Sequence, residues 1–360
     1  VPENVNKSTL KVVFLPIWGK LNETIPMMQM RALDNLGIPS GYGTKGTFFN
    51  AIRTYFRHKP KVIHFDWIHQ YSLTPGVPKS LLKTMAFVID IWLVKRLFGV
   101  KIIWTLHNLQ HHEQRPRNIE KWVQRWFAGQ CLKVRLLGNG IEKQVAAHLH
   151  ISAEKLEVLP EGSFVEWYPE TVDNQQDARE KLGLPLDDKI WLFFGNLRPY
   201  KGVEDLIQYF NNAGLPNTQL VIAGSAYRKD YAEIVRRAAE SSPNIKTIIK
   251  PIPDEEISVL FHAADLVVLP FKDVLNSSTV NLAMSFGKPV VAAAKGLVPF
   301  RLNKQPELLF GKNKTLAEVL DLASTLEKET LQSIGAQNLE EVEKYTWSDF
   351  ANFMADMLHG

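Results

Sequence analysis

The chain has 360 residues, 45% hydrophobic and 22% charged, so it reads as two folded domains and not as a disordered polymer. One cysteine, Cys131, excludes a disulfide framework and any multi-thiolate metal site, and makes a reducing, cytoplasmic compartment the expectation. The net charge of +4 is uneven: residues 1–170 hold 22 Lys and Arg against 13 Asp and Glu, the remainder 20 against 25.

A basic first half invites an anionic partner. Nucleic acid is not expected, because no RGG run, zinc knuckle or RNP-like motif accompanies the charge. An anionic membrane surface, a phosphate-bearing acceptor and a plain solvated face remain. The opening VPENVNKSTL lacks the basic and apolar segments of a signal peptide. In chain order, strands are predicted at 10–16 (LKVVFLP), 62–66 (VIHFD), 101–106 (KIIWTL), 134–138 (VRLLG) and 156–160 (LEVLP), with helices such as 23–36 and 80–98 between them. The run 85–100 is broken by Asp90, Lys95 and Arg96 and is shorter than the ~20 residues of a membrane span. Its helix either covers the sheet or, with Arg53, Arg57, Lys59, Lys79 and Lys83 nearby, lies on an anionic membrane.

Polar residues collect where these strands end, which is where an α/β sheet places its binding loops. Trp18 and Gly19 follow the first strand, and a glycine there lets backbone approach a ligand. Asp66 ends VIHFD and precedes Trp67, His69 and Tyr71, which suit either a sugar face or the core. KIIWTL runs into His107, then His111, His112 and Glu113, without the HExxH spacing of a metal site. Asp66 or Glu113 would be the general base of an inverting transfer.

After a polar stretch at 170–180 the alternation restarts. Strands are predicted at 190–194 (IWLFF), 219–223 (QLVIA), 245–249 (IKTII), 266–269 (LVVL) and 289–292 (PVVA), and helices at 203–211, 230–241, 254–263 and 280–286. The fold class expected is α/β, two doubly wound, Rossmann-like domains (1–168 and 169–345) facing a cleft. IWLFF leads into Gly195-Asn-Leu-Arg198-Pro-Tyr-Lys201-Gly202 and a helix. A glycine turn, two cations and a helix start suit a diphosphate, though the segment is neither a Walker loop nor a GxGxxG and, alone, equally reads as a solvated turn. Asp273 and the run Asn276, Ser277, Ser278, Thr279 precede an apolar helix; four capping residues in succession exceed one cap and form a candidate anion site.

Together, FFGNLRPYKGVEDLI, LVIAGSA, IPDEEISVLFHAADLVVLPF and SSTVNLAMSFGKPVVAA resemble, in order and spacing over about 189–295, the C-terminal domain of GT-B glycosyltransferases of family 4 (group 1), polysaccharide-assembly type. FLPIWGKLNETIPMMQMRALDNLG, IIWTLHN and VLPEG are more loosely similar to its N-terminal domain, and YTWSDFANFMADML resembles the helix that returns to it, over 346–360. The resemblance implies that Arg198 and Lys201 hold the donor diphosphate and that His107 lies near the transferring sugar. It implies a hexosyl or uronosyl transfer from a nucleotide sugar, UDP before GDP, to a polyprenyl-linked or other glycan acceptor in surface polysaccharide or glycolipid synthesis. A retaining, metal-independent reaction with no resident cofactor is expected, peripheral to the inner face of the plasma membrane. The family's E-x7-E pattern is missing: Val274 and Leu282 occupy its positions, with Asp273 one place off. That loss leaves a non-catalytic sugar or nucleotide binder, or a GT-B epimerase, as the alternatives.

Overall fold

Each half of the chain builds one six-stranded, all-parallel sheet from short apolar runs in the computed structural model, which describes residues 10–17, 24–109 and 116–359. Two units result, 1–160 with 346–360, and 161–345. The division falls ahead of the expected 168/169 boundary because the intervening residues bond to the second unit. Asn281 Nδ2 donates to the Gly162 carbonyl at 2.8 Å, and the Phe164 N–H donates to Ser285 Oγ at 3.0 Å.

The first sheet holds β1 (Val12–Leu15), β2 (Ser40–Tyr42), β3 (Val62–Phe65), β4 (Lys101–Thr105), β5 (Lys133–Leu136) and β6 (Leu156–Val158), in the order β2-β1-β3-β4-β5-β6. VVFL and VIHF are buried at every position, as strands covered on both faces must be. Val12 sits beside Val62, and Val62 beside Lys101. The terminal helix Trp347–His359 packs in this unit, with Phe350, Ala351 and Met354 in one cluster with Val12, Phe14 and Leu33. The Arg135 guanidinium lies over the Phe350 ring, 4.9 Å from its centroid, and Lys101 Nζ donates to the Met357 carbonyl at 2.9 Å.

The second sheet holds β7 (Lys189–Phe194), β8 (Thr218–Ala223), β9 (Ile245–Ile248), β10 (Leu266–Leu269), β11 (Val290–Ala293) and β12 (Leu309–Phe310), in the order β12-β11-β10-β7-β8-β9. Strand order reverses between β1 and β3 in one sheet and between β7 and β10 in the other. Such switch points open a crevice at the strand C-termini, where α/β proteins bind ligands. Asp66 follows β3, while Gly195 and Pro270 follow β7 and β10.

Candidate functional site

In the second unit, backbone contact at the switch point explains the glycines. Gly202 (φ +69°) passes so close to β10's end that a Cβ would stand 2.1 Å from the Pro270 carbonyl oxygen. Gly195 (φ +125°) leaves room for a cation: its Cβ position lies 3.1 Å from Lys201 Nζ and 3.6 Å from Thr279 Oγ1. The first glycine, the lysine and the second motif's helix start therefore meet at one point. Lys201 Nζ also lies 4.9 Å from the Phe271 ring centroid. Burial, then the neighbouring Arg198 charge, pull its ammonium down to about 8. The Arg198 guanidinium lies 6.0 Å from the Tyr227 centroid. Asp273 is exposed and, like Arg198, acts electrostatically on Tyr200, whose pKa is raised chiefly by burial.

The helix Ser278–Ser285 begins two residues earlier than predicted. Ser277 is its N-cap, its side chain accepting from the Val280 N–H, so one of the four capping residues has an ordinary structural duty. Asn276 and Ser278 point elsewhere: both donate to Glu161 Oε1, at 3.4 and 3.0 Å. Val274 and Leu282, at the E-x7-E positions, are buried apolar side chains. A carboxylate nonetheless reaches this helix start, supplied by Glu161 from the stretch after β6. Glu161 is 1% exposed, and its Oε2 has no hydrogen-bond partner. Arg301, also buried, donates from Nη2 to the Glu161 carbonyl at 3.1 Å, while its Nε and Nη1 are unpaired. Sequence reading gave Glu161 no role; the available signal was a carboxylate within VLPEG directly after a strand.

In the first unit, the structure brings together Asp66 and His107 from neighbouring strand ends. His107 Nε2 lies 3.1 Å from Asp66 Oδ1, and the His107 ring stacks on Trp67 with centroids 4.6 Å apart. Burial opposes ionisation of Asp66, but the neighbouring histidines and Arg135 overcome it and hold the carboxyl below its ordinary pKa. Asp66 thus fixes the imidazole's orientation. His69 meets Trp67 edge-on, whereas Tyr71 stacks on Phe87 in the aromatic packing around Phe65 and Phe127. Gly19 and Glu113, with Trp18, His111 and His112, lie outside the described residues.

Beneath the pair, His64 bonds Thr105 Oγ1 through Nε2 at 2.8 Å and is fully buried. Burial lowers its pKa to about 4, with Arg135 and His107 adding to the shift and Asp66 opposing it. An unfolded chain therefore takes up a proton near pH 6.5 that the folded one refuses until about 4. Stability should fall as pH drops through that window, by about 3 kcal/mol from this group. The lowered Asp66 adds its own loss only below its ordinary range. Melting temperatures from neutral pH to about 4 check this, and His64→Phe should flatten the decline.

Residues 174–338, within the second unit, match the family model for glycosyl transferases group 1. The GDP-mannose:glycolipid 4-beta-D-mannosyltransferase of Xanthomonas campestris pv. campestris is 25% identical over 251 residues, 68% of this chain and 64% of that one. The match thus spans just under two thirds of that relative's length. In fold, sucrose-phosphate synthase from Thermosynechococcus elongatus gives a TM-score of 0.72 at 18% identity, covering 97% of this chain and 98% of its own. Anabaena Alr3699/HepE, in complex with UDP and glucose, gives 0.71 at 16% identity, covering 97% and 99%. The two parallel sheets with their helices have the GT-B architecture of these proteins.

Proposed function

We propose that the chain is a glycosyltransferase that takes its sugar from a nucleoside diphosphate donor held by the second unit. The observation that carries this reading is the convergence of Lys201 Nζ, Thr279 Oγ1 and the positive-φ Gly195 backbone at the β7/β10 switch point. As the C1–O bond to the diphosphate breaks, negative charge grows on the leaving phosphate. Lys201, Arg198 and the N–H groups of the Ser278–Ser285 helix start stabilise that charge more than the ground state. A retaining outcome is favoured because Asp66 is buried and committed to His107. In that form the new C1–O bond is made by the acceptor hydroxyl, whose proton passes to the leaving phosphate oxygen. His107, oriented by Asp66, is assigned to the sugar or its phosphate.

The acceptor in this reading is a lipid-linked or other glycan used in surface polysaccharide or glycolipid synthesis, reached from the cytoplasm at the membrane's inner face. A relative named for a glycolipid acceptor supports the lipid-linked form. Uridine stays ahead of guanosine as the base, with support from the UDP-bound neighbour; the GDP-mannose relative makes guanosine the competing outcome. A thermal-shift panel of UDP, GDP, ADP and their common sugars tests the donor assignment. At ~100-fold excess over its dissociation constant the right nucleotide should add roughly 2.7 kcal/mol. A shift with one base only names the donor class, and no shift with any of them contradicts the proposal.

A further inference from the structure

At the N-terminal ends of β10 and β11 the second unit holds a cavity of about 170 Å³. Three segments line it. Asp265 leads into β10, Lys288 leads into β11, and Lys328 and Gln332 stand in the first turns of the helix Lys328–Glu343. Backbone contact seats that helix: a Cβ on Gly335 would stand 2.0 Å from the Gly287 carbonyl oxygen, an approach only glycine allows. Asn338 Nδ2, further along the same helix, donates to the Lys288 carbonyl at 3.0 Å. The walls are therefore fixed by packing on both sides of Lys288.

The cavity's acid is already committed, and its two lysines are not. Asp265 Oδ2 accepts from Arg179 Nη2 and the Ile190 N–H, both at 2.7 Å, and Oδ1 accepts from Gln175 Nε2 at 3.1 Å. The His262 imidazole pairs with Glu170, Nε2 to Oε2 at 2.7 Å. Lys288 Nζ instead donates to the Ala264 carbonyl at 2.9 Å, and Lys328 Nζ to the Asp187 carbonyl at 2.8 Å. Both ammoniums thus rest on backbone carbonyls, not carboxylates, and each keeps two further N–H donors. Burial lowers the Lys288 ammonium to about 8; Asp265 opposes that shift and Arg179 adds to it. A buried cation in this condition is costly, and a bound anion relieves the cost.

We propose that this cavity binds the phosphate group of a small anion between the Lys288 and Lys328 ammoniums, with the Gln332 amide as a further donor. Two compact point charges suit a tetrahedral oxyanion, whereas a planar carboxylate is better matched by an arginine fork. The volume lies below the ~300 Å³ at which sites for drug-sized ligands begin, so inorganic phosphate or a small phosphate monoester fits and a nucleotide sugar does not. Lys201, Gly195 and Thr279 gather at the opposite ends of these strands. The site is separate from them, and the inference stands whether or not the chain transfers sugar.

Calorimetric titration of the full chain with inorganic phosphate and with a hexose monophosphate, at ionic strength held constant with chloride, tests it. The Lys201→Ala chain, which lacks the donor-site cation, should still bind. Lys288→Met and Lys328→Met, each added to Lys201→Ala, should weaken binding at least about tenfold. Affinity should also decline as pH rises above about 8, where Lys288 loses its charge, and Lys288→Met should lack that decline. Lys288→Met removes a charge that burial disfavours, so its melting temperature should not fall. Lys328, half-buried at the rim, supplies the second variant should it do so. Tighter binding of the monoester would name a phosphate monoester as the ligand, and equal binding the phosphate group alone; both support the site. Equal affinity in all variants, binding abolished by Lys201→Ala alone, or no binding of either probe overturns it.

Discussion

Lys201→Ala is expected to lower turnover by at least about 100-fold while leaving the melting temperature unchanged or slightly higher. A lysine held at about 8 is one whose charged form the fold disfavours, so removing it relieves a cost and opens no cavity in a sheet core. The loss falls on the transition state, where the charge on the departing diphosphate has no substitute for a cation lodged between Gly195, Thr279 and Phe271. Diphosphate affinity of the parent should also decline as pH rises through about 8, where the free protein loses this charge, and the variant should lack that decline. Steady-state kinetics with melting curves at each pH check both. Unchanged turnover would remove Lys201 from the chemistry.

Arg179→Met should destabilise the second unit by about 3–5 kcal/mol, a fall of roughly 6–20 °C in melting temperature. Arg179 is 2% exposed and donates from Nη2 to Asp265 Oδ2 at 2.7 Å, from Nε to the Ala263 carbonyl at 3.1 Å, and from Nη1 to the carbonyls of Leu186 and Asp188. Asp265 in turn accepts the Ile190 N–H at 2.7 Å, which ties the start of β7 to the approach to β10. Methionine fills the volume but leaves a buried carboxylate without its cation and takes the guanidinium donors from three carbonyls. The variant's nucleotide binding below its melting point should stay near that of the parent, because Arg179 lies at the opposite ends of these strands from Lys201. Reading both by thermal denaturation separates this structural arginine from Arg198, whose loss should do the reverse.

Ten of the twelve strands among the described residues were legible, because strands covered on both faces concentrate Val, Ile, Leu and Phe in short runs. The two that were not, β2 and β12, lie at sheet edges, are three and two residues long, and are only half-buried, so no apolar run announces them. The helix Asp254–Ala263 agrees with its prediction at both ends, since Pro253 and three acids in its first turn mark the start. For the candidate site, Gly195, Lys201 and Thr279 were readable because each motif lies next to its own strand. Their meeting was not, being a consequence of β10 returning beside β7. Glu161 was missed for the same reason: its partner Ser278 is far along the chain, and no local spacing links them. The helix expected at 80–98 read as either sheet cover or a membrane-lying helix; in Val77–Phe98 the face with Phe87, Ile91 and Val94 is buried, while Leu82, Met85, Ile89 and Trp92 are exposed.

The most direct test follows free nucleoside diphosphate and glycosylated product together, with the preferred nucleotide sugar and a lipid-linked glycan acceptor, for the parent and Lys201→Ala. The parent should release diphosphate in step with product, and Lys201→Ala should form neither at a measurable rate. Nucleotide that binds without any release, or equal release by parent and variant, would contradict the proposed function.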